Sequence, residues 1–105
     1  MYHQTSNTPL GAGKKDDEGK VQLDLIEPSF IIGVGKALTQ GAEKYGKNNW
    51  QKLEDAEDRY YAAIMRHLMA WRMGEKSDKD SGLNPMYHIA ANAMFLAHID
   101  NEEKK

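Results

Sequence analysis

The 105-residue chain has no cysteine, which excludes disulfides and thiolate metal sites together. It has no apolar run near the roughly 20 residues of a membrane helix, and no basic segment followed by an apolar one opens it. With neither a span nor a signal peptide visible, the expected location is the cytoplasm. Cations are not in excess: 14 Lys and Arg face 16 Asp and Glu, for a net charge of −2. Broad nucleic-acid binding draws on clustered cations that release counterions, and no basic face is evident. Several catalytic signatures are missing as well. There is no H-E-x-x-H, no His-Asp dipeptide and no G-x-S-x-G. The text Gly33-Val-Gly-Lys36 is not a phosphate loop, because Phe30 stands where the first glycine is needed and Ala37 where the hydroxyl is needed. Ser81 has no obvious base in sequence, which argues against covalent catalysis.

The pattern that is present is helical. Residues 1–13 are polar and aperiodic and read as a flexible arm, followed by one all-α domain over 14–101. Val21, Leu23 and Leu25 alternate with polar neighbours, which predicts an extended segment lying across the bundle. Pro28 opens a helix whose buried stripe is expected at Ile31, Val34, Leu38, Ala42 and Tyr45, with Gly33, Gly35 and Gly41 marking a close backbone approach. Asp55 is placed to cap a second helix running to about Met73, and Asn84 with Pro85 to start a third. A domain this small buries only about two-thirds of its unfolded surface. Exposed faces such as Tyr60 and Met69 then predict a homo-oligomer, a dimer or tetramer.

The second helix carries an apolar stripe, Tyr61, Ile64, Leu68 and Trp71, on which Glu75 is the next position; Asp78 and Asp80 follow. On the third helix His88 and Asn92 interrupt a row completed by Phe95 and Ile99. Folded as a hairpin, these residues face one another. Carboxylate oxygens with open positions suit Mg²⁺ or Mn²⁺ and a phosphate chain. The competing reading is a solvated acidic turn beside a satisfied core histidine. Lys20 can place an ammonium on a phosphate or be a surface lysine. Trp50 can stack a purine or anchor its loop.

The segments Asp17-Glu-Gly-Lys20, Gly41-Ala-Glu-Lys-Tyr45, Asn49-Trp50, Arg66-His67, Gly74-Glu75 through Asp78, Asp80-Ser-Gly82 and His88 to Phe95-Leu96 occur in an order that resembles the phage dATP/dGTP diphosphohydrolase family. That family is similar to the MazG-like all-α nucleoside triphosphate pyrophosphohydrolases. The resemblance implies a helical bundle that binds Mg²⁺ or Mn²⁺ through acidic side chains and cleaves a purine deoxynucleoside triphosphate to the monophosphate. Some members, called MazZ, serve phages that replace adenine by 2-aminoadenine. Carried over, Glu75 and Asp78 are metal-binding and catalytic, Asp80 is a third metal ligand, and His88 is catalytic. Lys20, Lys44 and Arg66 are expected on the phosphates, Asn49 and Trp50 on the base, and Asn92 beside the substrate. His67 is expected to orient an acid or to bind metal. One departure stands out: Pro85 occupies a place where relatives often have a second histidine. A house-cleaning nucleotide pyrophosphatase and a non-enzymatic helical interaction protein are the alternatives.

Overall fold

A computed structural model describes residues 18–103, and the expected arm over residues 1–13 lies outside them. The described chain is all-α. Its helices are α1 (Pro28–Tyr45), α2 (Ala56–Arg72) and α3 (Pro85–Glu103), with short 3₁₀ turns at Leu23–Leu25 and Asn49–Gln51. Helix α3 is central, packing against both α1 and α2. Its sequence explains this position. Residues 86–92 are buried or half-buried without a break, and a helix can cover consecutive positions only when it has neighbours on more than one side.

The start of α3 is as the sequence predicts. Asn84 Oδ1 accepts the Met86 N–H at 2.9 Å, satisfying one orphan donor of the first turn. Among the described residues, Pro85 at the first helical position is fully buried. Its ring thus closes the junction between the α2–α3 connection and the bundle.

Helix α1 meets α3 through its smallest residues. Gly33 and Ala37 are buried, whereas Ile31 and Tyr45, expected on the stripe, are exposed. The cause is one close approach: a Cβ at Gly33 would overlap the Tyr87 ring of α3, and that ring also meets Phe30 edge-on at 5.5 Å. The contact face is therefore rotated away from the larger apolar residues.

Helix α2 shows a similar one-residue correction. Tyr60, expected on an uncovered face, is only 7% exposed, and Tyr61, expected in the core, is 59% exposed. Tyr60 is drawn inward by two partners. Its ring lies 4.7 Å from that of Phe95, and its hydroxyl donates to the Trp50 carbonyl at 2.6 Å. Asp55 precedes α2 but makes no side-chain cap bond, because its backbone is left-handed at φ 55°. Val21, Leu23 and Leu25 do not lie extended on the bundle; they are exposed around a 3₁₀ turn.

The glycines of α1 give a paired test. Gly35 has open space where a Cβ would go, so Gly35→Ala is expected to gain the helix-propensity difference, roughly 0.5–1 kcal/mol. Gly33→Ala gains the same propensity but loses about 1–3 kcal/mol to overpacking. Thermal unfolding should show a higher Tm for the first variant and a lower Tm for the second. A Gly33→Ala protein as stable as Gly35→Ala would rule out the Tyr87 contact.

Candidate functional site

The site is built where α2 ends and turns toward α3. Gly74, at φ 110°, stops α2. Its N–H bonds to the Trp71 carbonyl at 3.0 Å and the Glu75 N–H to the Ala70 carbonyl at 2.9 Å, the paired bonds of a glycine C-terminal cap. The chain leaves the helix there, so Glu75 does not continue the apolar stripe as the sequence periodicity implies. It lies half-buried in an open groove of about 640 Å³ lined by Met65, Arg66, Met69, Ala70 and Met73.

The next residues close on themselves. Asp78 N–H donates to the Leu83 carbonyl at 2.7 Å, and Gly82 N–H to the Asp78 carbonyl at 2.8 Å. Inside this loop Asp78 Oδ2 accepts the N–H groups of Asp80 at 3.1 Å and Ser81 at 2.9 Å. A carboxylate bonded in this way organises the turn as an Asp side chain often does, and each such charge-assisted bond is worth about 1.5–3 kcal/mol. Asp78 Oδ1 lies 3.6 Å from His67 Nδ1 of α2. Asp80 itself is exposed.

Two imidazoles face this turn. His67 of α2 and His88 of α3 stack with centroids 4.8 Å apart and planes 12° from parallel. Ser81 Oγ is 2.7 Å from His88 Nε2 and accepts the Leu83 N–H at 3.1 Å. The Ser81 carbonyl accepts a long bond of 3.4 Å from Gln40 Nε2 of α1. All three helices thus reach this turn, α1 and α3 at Ser81 and α2 at Asp78. Desolvation raises the Asp78 pKa, but the Ser81 backbone and side chain, the Asp80 N–H and the nearby His88 outweigh it and hold the carboxyl below its ordinary value. Burial and the stacked His67 push His88 the other way from its usual protonation, lowering its pKa against the pull of Asp78.

The remaining expected residues fall into separate places. Asn92 uses its Nδ2 on the His88 carbonyl, at 2.7 Å, one turn back along α3. Arg66 is on the methionine groove beside Glu75. Asn49 and Trp50 form a 3₁₀ turn beyond the other end of the hairpin. There the indole stacks on Phe95 at 4.7 Å and meets His98 edge-on at 5.0 Å. Phe95 is seven residues from His88, about 10 Å along the helix axis. Lys20 precedes α1 and Lys44 lies in its last turn; both are exposed, and no described contact brings either to the turn. The sequence reading missed Ser81 as a partner of His88. An Asp-x-x-Ser turn seven residues before a histidine was the available signal.

Among the described residues, no group of three or more His, Asp or Glu side chains is gathered to hold a metal ion. Glu75, Asp78 and Asp80 do not form a ready cage in this chain: Glu75 has been turned onto the groove, and Asp78 Oδ2 is already committed to two backbone donors.

Comparison with known proteins places almost the whole chain in one family. Residues 11–105 match the family described as dATP/dGTP diphosphohydrolase, N-terminal. The chain belongs to this family. Over 89 residues it is 37% identical to a dATP/dGTP diphosphohydrolase of Salmonella phage PMBT28, a stretch that is 85% of this chain and 30% of that protein. The chain therefore spans about a third of the length of this relative. No solved structure matches it.

The electrostatics of the diphosphohydrolase-family turn set a pH dependence. With His88 depressed below 6.5 in the folded protein, the unfolded chain binds more protons as pH falls through that value, so stability is full above it and drops below it. Thermal unfolding between about pH 7 and pH 5 should show a falling Tm, with a shallower slope in His88→Gln. Equal slopes would place the titration elsewhere. A further loss in the same direction, below 3.8, belongs to the depressed Asp78 and should be absent from Asp78→Asn.

Proposed function

We propose that this chain hydrolyses a purine deoxynucleoside triphosphate, dATP or dGTP, to the monophosphate, with water attacking phosphorus in line. The observation that carries this reading is the convergence of Asp78, His67, Ser81 and His88 on one turn of a chain belonging to the diphosphohydrolase family. Such a turn offers donors and a fixed carboxylate to a polyphosphate. Arg66, Lys20 and Lys44 are our candidates for further phosphate contacts, and Asn92 for a contact at the same end.

Dependence on Mg²⁺ or Mn²⁺ is proposed from the reaction's chemistry, since a bound cation neutralises the phosphates. These ions are usually held by one or two carboxylates together with substrate phosphates, without an all-protein cage. The side-chain carboxylates of Glu75 and Asp80 have no hydrogen-bond partner among the described residues and are still free to serve. A role in supplying the monophosphate to phages that use 2-aminoadenine is part of the same proposal.

A homo-oligomer is proposed from the faces that one chain leaves bare. Met73 is 87% exposed, Met69 47%, and Ile32 59%, which is more apolar surface in one small domain than scattered exposure explains. Light scattering at micromolar concentration is expected to give at least a dimer, and a monomer would count against the proposal.

Turnover of dATP, dGTP, dCTP and dTTP by this chain, with Mg²⁺, with Mn²⁺ and with EDTA, is the direct test. Purine triphosphates should yield monophosphate only with a cation, and separating phosphate from pyrophosphate identifies the bond cleaved. No hydrolysis of any of the four defeats the reading. Base recognition has its own test. A purine stacked on the indole face opposite Phe95 contributes about 1–3 kcal/mol, so Trp50→Leu should lose roughly ten-fold more efficiency on dGTP than on dCTP. Equal losses with a lower Tm would leave Trp50 as an anchor alone.

A further inference from the structure

Ser81 is tied down on every polar atom it has. Its N–H donates to Asp78 Oδ2, its carbonyl accepts from Gln40, and its Oγ accepts from Leu83 N–H while lying 2.7 Å from His88 Nε2. A hydroxyl has one proton and two lone pairs. With the Leu83 N–H already on one lone pair, the hydroxyl proton has two acceptors nearby, the Asp78 carboxylate and His88 Nε2 at 2.7 Å; Asp78 Oδ2 already takes two backbone N–H groups, which leaves His88 Nε2 as the acceptor without another donor. In that arrangement Nε2 receives the Ser81 O–H and Nδ1 carries the imidazole proton. Nδ1 has no hydrogen-bond partner among the described residues. The ring plane is fixed as well, because His67 stacks along one face at 4.8 Å.

We propose that Ser81 is a positioning residue, whose hydroxyl holds His88 in the tautomer protonated at Nδ1, so that His88 meets a phosphate oxygen as a hydrogen-bond donor through Nδ1–H. This assigns His88 a definite direction of hydrogen bonding. Its lone pair is occupied by Ser81, so it serves neither as a base on the attacking water nor as a metal ligand through Nε2. It also explains why Ser81 is not a nucleophile despite the short contact with an imidazole. The Oγ is held by two partners inside a closed turn, and its proton is spent on orienting the ring. The tautomer part stands on the geometry alone, and the phosphate part rests on the proposed hydrolase reading.

Three measurements separate these parts. In long-range ¹H–¹⁵N spectra of the ¹⁵N-labelled full chain, with His88 assigned by its loss in His88→Gln, the wild-type ring should be protonated at Nδ1. Ser81→Ala should move it toward the Nε2-protonated form that free histidine prefers. A wild-type ring protonated at Nε2 overturns the proposal without any variant. Inorganic pyrophosphate added to the wild type should shift the His88 Nδ1 resonance, and no shift overturns the donor role whether or not the chain turns over nucleotide. In dGTP hydrolysis Ser81→Ala should lower kcat by about 10- to 100-fold, the range for partners that orient a functional side chain, with little change in KM, and Ser81→Thr should restore most of it. A lower Tm in Ser81→Ala with kcat and tautomer unchanged would make the serine purely structural. A phosphoserine at position 81 after reaction with dGTP would make it a nucleophile; either result overturns the assignment. Absence of dGTP turnover in the wild type would defeat the hydrolase reading and leave the tautomer and pyrophosphate measurements to decide this one.

Discussion

The carboxylate of Asp78 is what the rest of this structure depends on. A connection between two antiparallel helices has to satisfy its own backbone donors or expose them to water. Here one side chain takes two of them, from Asp80 and Ser81, while its other oxygen faces His67 on α2. The turn is consequently rigid at the point where α3 must begin. Asn84 and Pro85 then start that helix within four residues of Ser81. Because the helix start is fixed, the separation between Ser81 and His88 is fixed too. The short Oγ to Nε2 contact follows from this register, with no need for either side chain to search for the other.

The bundle around this turn is thin. Among the described residues, Ala37, Tyr60 and Ala91 are the buried hydrophobic ones, together with the fully buried Pro85. Small side chains bring α1 and α3 together at Gly33, and aromatic contacts carry the far end, where Trp50, Tyr60, Phe95 and His98 converge. The two ends of the hairpin are thus held by different physics: charge-assisted hydrogen bonds near Asp78, and ring packing near Trp50. Between them runs α3, apolar around much of its circumference, which neither α1 nor α2 alone could bury. Met65 and Met69 of α2 remain exposed.

Sequence periodicity located the three helices and the cap at Asn84 because these are local properties. It also placed Asp78 and His88 together, since a hairpin brings its ends into register. It failed by one residue at Tyr60 against Tyr61. Helical spacing alone ranks those two positions nearly alike, and the decision came from a carbonyl on Trp50 and a ring on Phe95, which are distant in sequence. It failed on Glu75 because the stripe was extended past Gly74, whose positive φ redirects the chain. Ser81 was passed over for the opposite reason. Its histidine partner is seven residues away across a helix start, and because Ser81 lies before the first turn of α3 the helical i, i+7 relation does not link them.

Stability and site are coupled through the same few atoms. Protonating Asp78 removes the acceptor that holds the Asp80 and Ser81 N–H groups, so an acid that loosens the turn also releases the residue that orients His88. The stacked pair works in the same direction. A charge on His67 disfavours one on His88, while Asp78 favours it, so the neutral state of the His88 ring reflects a balance among three groups on three separate elements of the chain. This balance suits a ring that must donate from Nδ1 while accepting at Nε2. A doubly protonated imidazole has no lone pair for the Ser81 hydroxyl, and the contact that sets the ring's direction would have to reverse. Burial of His88 between α2 and the turn is therefore part of how its tautomer is specified, and the packing of the hairpin end cannot be separated from the hydrogen-bonding role of the ring it encloses.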